Sequence, residues 1–323
     1  MGTSQKHGNT VPKKEATKMK KILSLILTLA LLGCVVFSAT SCFQSQNLSA
    51  AYDKIVKDLA FDDSACTETL TVAMSPDFAP MEFYDLAKSG NDAIVGFDVI
   101  LAKYLAKELN MKLVIDPMSF DACMAAVSTG SADLAISGFS WTAERAETFL
   151  ISDYYVAGEN ESDQILISTV ANKAKFAADK TDFSGLKIGA QGGSLQQLLV
   201  NEQLVSKGAT VELYKDLNTA VEALKAGDID ALAVAKGNGE AFAATSSDVV
   251  LTDYYFEVEE KYKNNVILLN KEDAALLEKV NAALAKAMEA DLYDGWYEAC
   301  QIYAEVKTID ELGYDDEGNK ITE

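Results

Sequence analysis

The chain has 323 residues, with 49 acidic against 28 basic side chains and a formal net charge of −21. That balance argues against nucleic acid as a partner, since such binding needs clustered positive charge. The only histidine, His7, falls in an N-terminal segment expected to be removed, so Ser-His or Cys-His catalysis and histidine metal ligation are not expected of the remainder.

The N-terminus reads as a secretory leader covering residues 1–41. Lys18, Lys20 and Lys21 precede an apolar run from Ile22 to Phe37, short for a spanning helix and followed by small polar residues. Met19 is a second candidate start. Cys42, after Ala39-Thr40-Ser41, is the preferred lipidation site; Cys34, after Leu31-Leu32-Gly33, is the other candidate, and an uncleaved anchor is the alternative to both. Loss of this lysine-rich leader makes the remainder more acidic still, as suits a domain tethered outside a cell. Cys66, Cys123 and Cys300 are widely spaced without metal-type pairing; a Cys66–Cys300 disulfide is open, but buried free thiols are the preferred reading. No metal site and no cofactor are expected.

Residues 42–66 are polar and helix-prone, and read as a tether. Leu70–Met74 (LTVAM) predicts a buried strand, followed by an aromatic and proline-rich loop, Ser75–Phe83, at the strand end where ligands of open α/β sheets bind. Residues 86–95 read as a hairpin or loop. A helix follows with Asp98 as its expected N-cap, then a strand at Lys112–Ile115, a helix over Asp121–Val127 and a short strand at Leu134–Ile136. Ser137-Gly138 breaks that strand, Thr142 reads as a helix N-cap, and Glu144 and Arg145 fall in the first turn. Arg145 is the only arginine in the chain. A guanidinium grips a carboxylate with two parallel hydrogen bonds, which an ammonium cannot do, so strand end, loop and helix start together read as an anion site. A surface pair of Arg145 with Glu144 or Glu147 is the plainer alternative.

After an acidic insertion, Glu159–Asp163, the pattern restarts: strand Gln164–Ser168, strand Leu186–Ala190, a glycine turn at Gln191-Gly192-Gly193-Ser194, a helix from Leu195, strand Val211–Tyr214, helix Asn218–Lys225 and strand Ala231–Ala235. Asn265–Leu269 then predicts a returning strand and Lys271 opens a long helix; Trp296 and Tyr297 are expected to bury against the first lobe, and an acidic tail follows from Glu305. Alternating strands and helices predict parallel α/β layers. The expected organisation is two Rossmann-like lobes, residues 67–167 with 264–323 and residues 168–263, joined by two chain crossings that act as a hinge around a ligand cleft.

The segments LTVAMSPDFAPMEF, IVGFDVILAKYLAKEL, MSFDACMAAVSTGSADLAISGFSWTAERAE, SDYY, KIGAQGGS and AVEALKAGDIDAL, in this order, resemble the extracellular solute-binding proteins of ABC importers, polar amino-acid family. The resemblance covers Leu70 to Tyr303. It implies the two-lobed type II periplasmic-binding-protein fold and a non-enzymatic role: capture of an amino acid or related small carboxylate for an ABC transporter permease, by a monomer lipid-anchored on the outer face of the cell membrane. It implies that Arg145 binds the ligand carboxylate, aided by the backbone N–H of Thr142 and by Ser194 or Leu195. Phe78 and Phe120 would sandwich the ligand. The carbonyl of Ser137 or Gly138 and the hydroxyl of Ser140 would accept from its ammonium, Trp141 would wall the cleft or pack, and Ser75 and Gln191 would face the ligand side chain.

One departure stands out. Where the family places an aspartate for the α-ammonium, this chain has Ala235, followed by Lys236. An uncompensated ammonium in a closed cleft is costly. Another acid, with Glu240 nearest in sequence, must supply the charge, or the ligand is not a standard α-amino acid. Ser75 stands where an acid marks binders of basic side chains, so the ligand is expected not to be Lys or Arg. A dehydratase-like enzyme on the same fold and a sensor domain acting through a partner are the alternative readings.

Overall fold

The computed structural model describes residues 49–155, 163–177, 180–306, 312 and 319–320. The leader, Cys34 and Cys42, the acidic insertion as far as residue 162 and most of the acidic tail lie outside the described residues. No helix among the described residues is long and apolar enough to cross a membrane.

The first part of the chain runs α1 (Ala50–Leu59), β1 (Thr69–Met74), β2 (Asp77–Phe78), β3 (Glu82–Tyr84), β4 (Ile94–Val95), α2 (Phe97–Leu109), β5 (Lys112–Pro117), α3 (Phe120–Thr129), β6 (Leu134–Ala135), α4 (Ala143–Thr148) and β7 (Leu150–Ile151). There follow β8 (Gln164–Thr169), β9 (Lys187–Gln191), α5 (Leu195–Gln203), β10 (Thr210–Tyr214), α6 (Leu217–Ala226), β11 (Ala231–Ala235), α7 (Lys236–Thr245) and β12 (Val249–Tyr255), then β13 (Leu268–Leu269), α8 (Ala274–Glu289) and α9 (Tyr293–Tyr303).

Two five-stranded sheets result, ordered β5-β1-β6-β13-β7 and β10-β9-β11-β8-β12, with β2-β3-β4 as a small antiparallel sheet. Each large sheet defines a lobe. Apolar clusters cover both faces of each: one face of the first sheet packs on α2, α8 and α9, the other on α3 with Phe139 and Phe149. The second lobe repeats the arrangement around Leu199 and Ala233 on one side and Val221 and Leu232 on the other. Burial on both faces is why ALAVA reads as an unbroken apolar run, and LTVAM as one broken only by the half-buried Thr71, rather than as alternating patterns.

The expectation of parallel layers holds only in part. β1 pairs in parallel with β5 and β6, and β9 with β10 and β11, but β13 and β8 run antiparallel to all their partners. These are the strands that return the chain from the opposite lobe. β8 belongs wholly to the second sheet, so the boundary expected after Ile167 is corrected: the first crossing precedes Gln164. The second lies between the end of β12 at Tyr255 and Asn265, which bridges to Ser140 and Tyr155 in the first lobe. β13 is also shorter than the five-residue strand expected there.

The tether expected over residues 42–66 is corrected in its middle. Helix α1 buries Ala51 and Tyr52, and it packs on α2 and α9. Tyr52 sits 5.0 Å from Tyr303 between ring centroids, and its hydroxyl accepts from Gly96 N–H (3.3 Å). Trp296 and Tyr297 bury in the same cluster, with their rings about the buried Phe97.

Asp98 is not the cap of α2. Gly96 holds that position at φ 125°, where a Cβ would stand 2.3 Å from the Met81 carbonyl oxygen. Only glycine fits there, and Asp98, two residues on, points inward and is fully buried.

Candidate ligand site

A cavity of about 30 Å³ lies between the lobes, lined by Phe78, Phe120, Ser137, Gly138, Ser140 and Arg145 from the first and by Gln164, Gln191, Ser194, Leu195, Gln196, Leu217, Val234 and Ala235 from the second, with Asn265 of the crossing segment. Most residues singled out in the sequence therefore meet at one place. Ser75, Trp141 and Thr142 do not line it. Ser75 lies one layer behind, its hydroxyl on Asp77 Oδ1 (3.0 Å). Trp141 packs half-buried on the first-lobe core, with the Lys261 ammonium 5.9 Å from its ring.

Arg145 is set by its local sequence. Thr142 caps α4, its Oγ1 accepting from Arg145 N–H (3.2 Å). The side chain runs back to the cavity, 5% exposed. Its guanidinium carbon stands 5.6 and 5.1 Å from the ring centroids of Phe120 and Phe139, which stack on each other at 4.5 Å. This cation–π cradle favours the charged form, while burial pushes the group down to about 10, so it stays charged at neutral pH. Nη1 donates to the Ser140 carbonyl (2.6 Å) and Nη2 crosses the cleft to the Gly193 carbonyl (2.8 Å). The alternative of a surface pair with Glu144 or Glu147 does not form: the side chain is buried and bonded to the two carbonyls.

Behind Ser137 and Gly138 lies a buried polar cluster that the sequence reading missed. Ser137 Oγ donates to Glu82 Oε1 and accepts from Ser75 N–H (3.0 Å). Gly138 N–H (2.8 Å) and the Tyr155 hydroxyl (3.2 Å) donate to Asp98 Oδ2. Glu82 Oε2 and Asp98 Oδ1 have no hydrogen-bond partner; a proton held between the two neighbouring carboxyls supplies what both oxygens lack. Burial first, then the Asp98 charge, pushes Glu82 well up; burial likewise pushes Asp98 up. Gly138 adopts φ 55°, and a Cβ there would meet the Phe78 ring at 2.7 Å, so the ring edge packs closely against the backbone.

From the second lobe, Ser194 caps α5 by accepting from Gln197 N–H (3.1 Å) and donates to the Gln191 carbonyl (2.7 Å). Gln196 Nε2 donates to Gln164 Oε1 (2.6 Å). Ala235 lines the cavity, as its matched position implies, but Glu240 does not. Behind the second-lobe wall stands Asp77, bonded to the lining residues Gln191 and Leu217, as Glu82 and Asp98 are to Ser137 and Gly138 in the first lobe. No carboxylate is among the lining residues. No group of three or more potential metal ligands occurs among the described residues.

The pattern defining bacterial extracellular solute-binding proteins, family 3, matches residues 70–299. A probable histidine-binding protein of Campylobacter jejuni is 28% identical over 247 residues, covering 76% of this chain and 90% of that protein. The arginine-binding extracellular protein ArtP of Bacillus subtilis is 27% identical over 271 residues, covering 84% and 93%. Among solved structures, the amino acid ABC transporter substrate-binding protein AbpA from Streptococcus pneumoniae, bound to L-arginine, superposes with a TM-score of 0.65 at 30% identity, covering 74% of this chain and 97% of that one.

Proposed function

The chain belongs to the bacterial extracellular solute-binding proteins of family 3, with their two-lobed type II periplasmic-binding-protein fold, and from that premise we propose that it captures an amino acid or related small carboxylate between its lobes and delivers it to an ABC transporter permease. The observation that carries this is Arg145: a buried, charged, stacked guanidinium at the wall of an interlobe cavity. Its two bonds to carbonyls use two of five N–H donors, and exchange of the Gly193 carbonyl for a ligand carboxylate supplies the bidentate grip. Phe78 and Phe120 flank the ligand, and Ser140 with the Ser137–Gly138 turn accepts from an amine. Ser194, Gln191, Gln164 and Gln196 face the rest of it.

Relatives are named for arginine and histidine, whose side chains carry or gain positive charge. Here no acid lines the cavity and the polar side chains of the second-lobe wall are three glutamines and Ser194 among apolar residues, so the ligand proposed is a carboxylate with a neutral remainder. The role is binding, not turnover: general acid–base catalysis needs a titratable group at the ligand, and the lining residues offer only Arg145. Anchoring through a lipid on Cys42, on the outer face of the membrane, and action as a monomer complete the proposal.

The test is a thermal-shift screen of the purified protein against amino acids, arginine and histidine included, and their deaminated analogues. A ligand at a thousand times its dissociation constant adds about 4 kcal/mol, a rise of roughly 8–16 °C for a chain of this size. Arg145→Lys, losing the fork, is expected to weaken binding by about 1.5–3 kcal/mol, roughly tenfold to a hundredfold. Silence from every carboxylate at millimolar concentration, or unchanged binding in the variant, overturns the reading; a strong shift with arginine overturns the neutral-remainder part alone.

A further inference from the structure

Helix α6 begins at the cleft, and its first turn is only half satisfied from within its own lobe. Asp216 caps it conventionally, its carboxylate accepting from Thr219 N–H (2.7 Å) and the Thr219 hydroxyl (2.8 Å). The N–H of Leu217 has no carbonyl to bond, as at every helix start. It is taken instead by the other lobe: Asp77 Oδ2 accepts from Leu217 N–H (2.7 Å) and from Gln191 Nε2 (3.0 Å). Asp77 stands on β2, within the first lobe, and is 9% exposed. Its second oxygen meets Ser75 Oγ (3.0 Å), a residue of its own lobe. A single carboxyl group thus joins the loop after β1 to the start of α6 and to a side chain that lines the cavity.

We propose that Asp77 is an interlobe latch and a positioning residue for ligand capture: only when the cleft is shut does it complete the N-terminus of α6 and add a second, shorter bond to Gln191 Nε2. This rests on the reading that the two lobes open and close around a ligand and that the ligand-free protein populates the shut form. When they part, Leu217 N–H returns to water together with Asp77 and Gln191 Nε2 keeps only its longer bond to the Lys215 carbonyl (3.3 Å), so the two interlobe bonds form and break as one unit with closure.

The latch is built to hold a proton. No lysine or arginine pairs with Asp77 among the described residues. Asp216 faces it from the start of α6, and Glu82 on β3 and Cys123 on α3 also feel its charge. Burial, with the Asp216 charge as a lesser cause, pushes the carboxyl up to about 6 against the hydrogen bonds from Leu217 and Ser75. With a proton on Oδ1, Ser75 Oγ becomes the acceptor and Oδ2 still receives both bonds from the second lobe, so every partner is kept. In an open cleft the group returns to the ordinary aspartate value of about 3.9. A value raised by closing means that closure takes up a proton. The shut form is therefore favoured most below the ordinary value, loses that advantage as pH climbs to about 6, and is insensitive to this group above it.

Asp77→Asn and Asp77→Ala separate the possibilities. Asparagine has the donor and acceptor pattern of the protonated acid: Oδ1 accepts from Leu217 and Gln191, and Nδ2 donates to Ser75. Alanine leaves Leu217 N–H bare. The first readout is the Leu217 amide resonance of the ligand-free protein between pH 4 and 8. In the wild type it is expected to titrate with a midpoint near 6; in Asp77→Asn that transition disappears while the amide stays protected from exchange, and in Asp77→Ala the protection is lost. The second is the radius of gyration in solution, expected to be larger in Asp77→Ala than in the other two. A Leu217 amide that ignores pH in the wild type, or titrates alike in Asp77→Asn, overturns the proposal. So does an Asp77→Ala protein as compact and as protected as the wild type. Neither readout uses a ligand, so failure of the latch is distinguishable from failure of the carboxylate-binding reading.

Discussion

At the scale of single residues, the Glu82–Asp98 pair sets how rigidly the cavity floor is held. Its two carboxyls share one buried volume with Ser137, Tyr155 and the Gly138 N–H, and two negative charges there would repel at close range with no cation to offset them. Both groups are pushed up by burial in the folded chain and return to the ordinary carboxylate range on unfolding. The pair's contribution is thus fully present below that range and erodes as pH rises through the raised values. Glu82→Gln mimics the protonated acid, since its amide oxygen can accept from Ser137 and its nitrogen can donate to Asp98. Urea denaturation at pH 5.5 and 8 is expected to show a smaller loss of stability across that interval in the variant than in the wild type; equal losses would remove the shared proton from the account. None of this was legible beforehand. Arg145 stood out because the chain uses arginine once, whereas an acid in EF or FD context reads as a cap or a surface group. Only the tertiary partners, contributed by β3, α2 and the turn after β6, bury Glu82 and Asp98.

At the scale of elements, the amphipathic helix α1 does more than connect. Its Tyr52 fills a place between Tyr303 and the Gly96 turn, where its hydroxyl receives the Gly96 N–H just ahead of α2. Truncating a buried aromatic side chain costs about 3–5 kcal/mol, and Tyr52→Ala is expected near the lower end because the edge of α1 faces solvent. Chemical denaturation measures it; a change below about 1 kcal/mol would mean that α1 is docked without holding the lobe. Its helical propensity was legible, but its docking was hidden by the polar surface, which a short apolar stripe does not outweigh over ten residues. The central strands were legible for the opposite reason, since two buried faces leave no polar positions to blur them. Strand direction was not: β8 and β13 have the apolar content of any core strand, and which sheet receives them depends on where the chain crosses. That misplacement of β8 also concealed Gln164, which with Gln196 forms part of the cavity wall.

At the scale of the whole molecule, two crossings between lobes restrict their relative motion to a hinge, and the second crossing carries a natural reporter. Lys261 lies on it, with its ammonium over the rings of Trp141 (5.9 Å) and Tyr262 (4.7 Å). Trp141 packs on the first lobe, so any rotation of the second lobe about the hinge moves Lys261 relative to the indole. The only other tryptophan, Trp296, is 5% exposed among Phe97, Tyr104 and Tyr293 inside the first lobe, and a rigid-body motion leaves its surroundings unchanged. Ligand binding is therefore expected to change the intrinsic fluorescence through Trp141 alone. The change should vanish in Trp141→Phe and persist in Trp296→Phe, with Lys261→Ala reducing its size. If Trp296→Phe removes the signal instead, binding repacks the first-lobe core, and rigid lobes turning about two crossings are the wrong description of how this chain responds to its ligand.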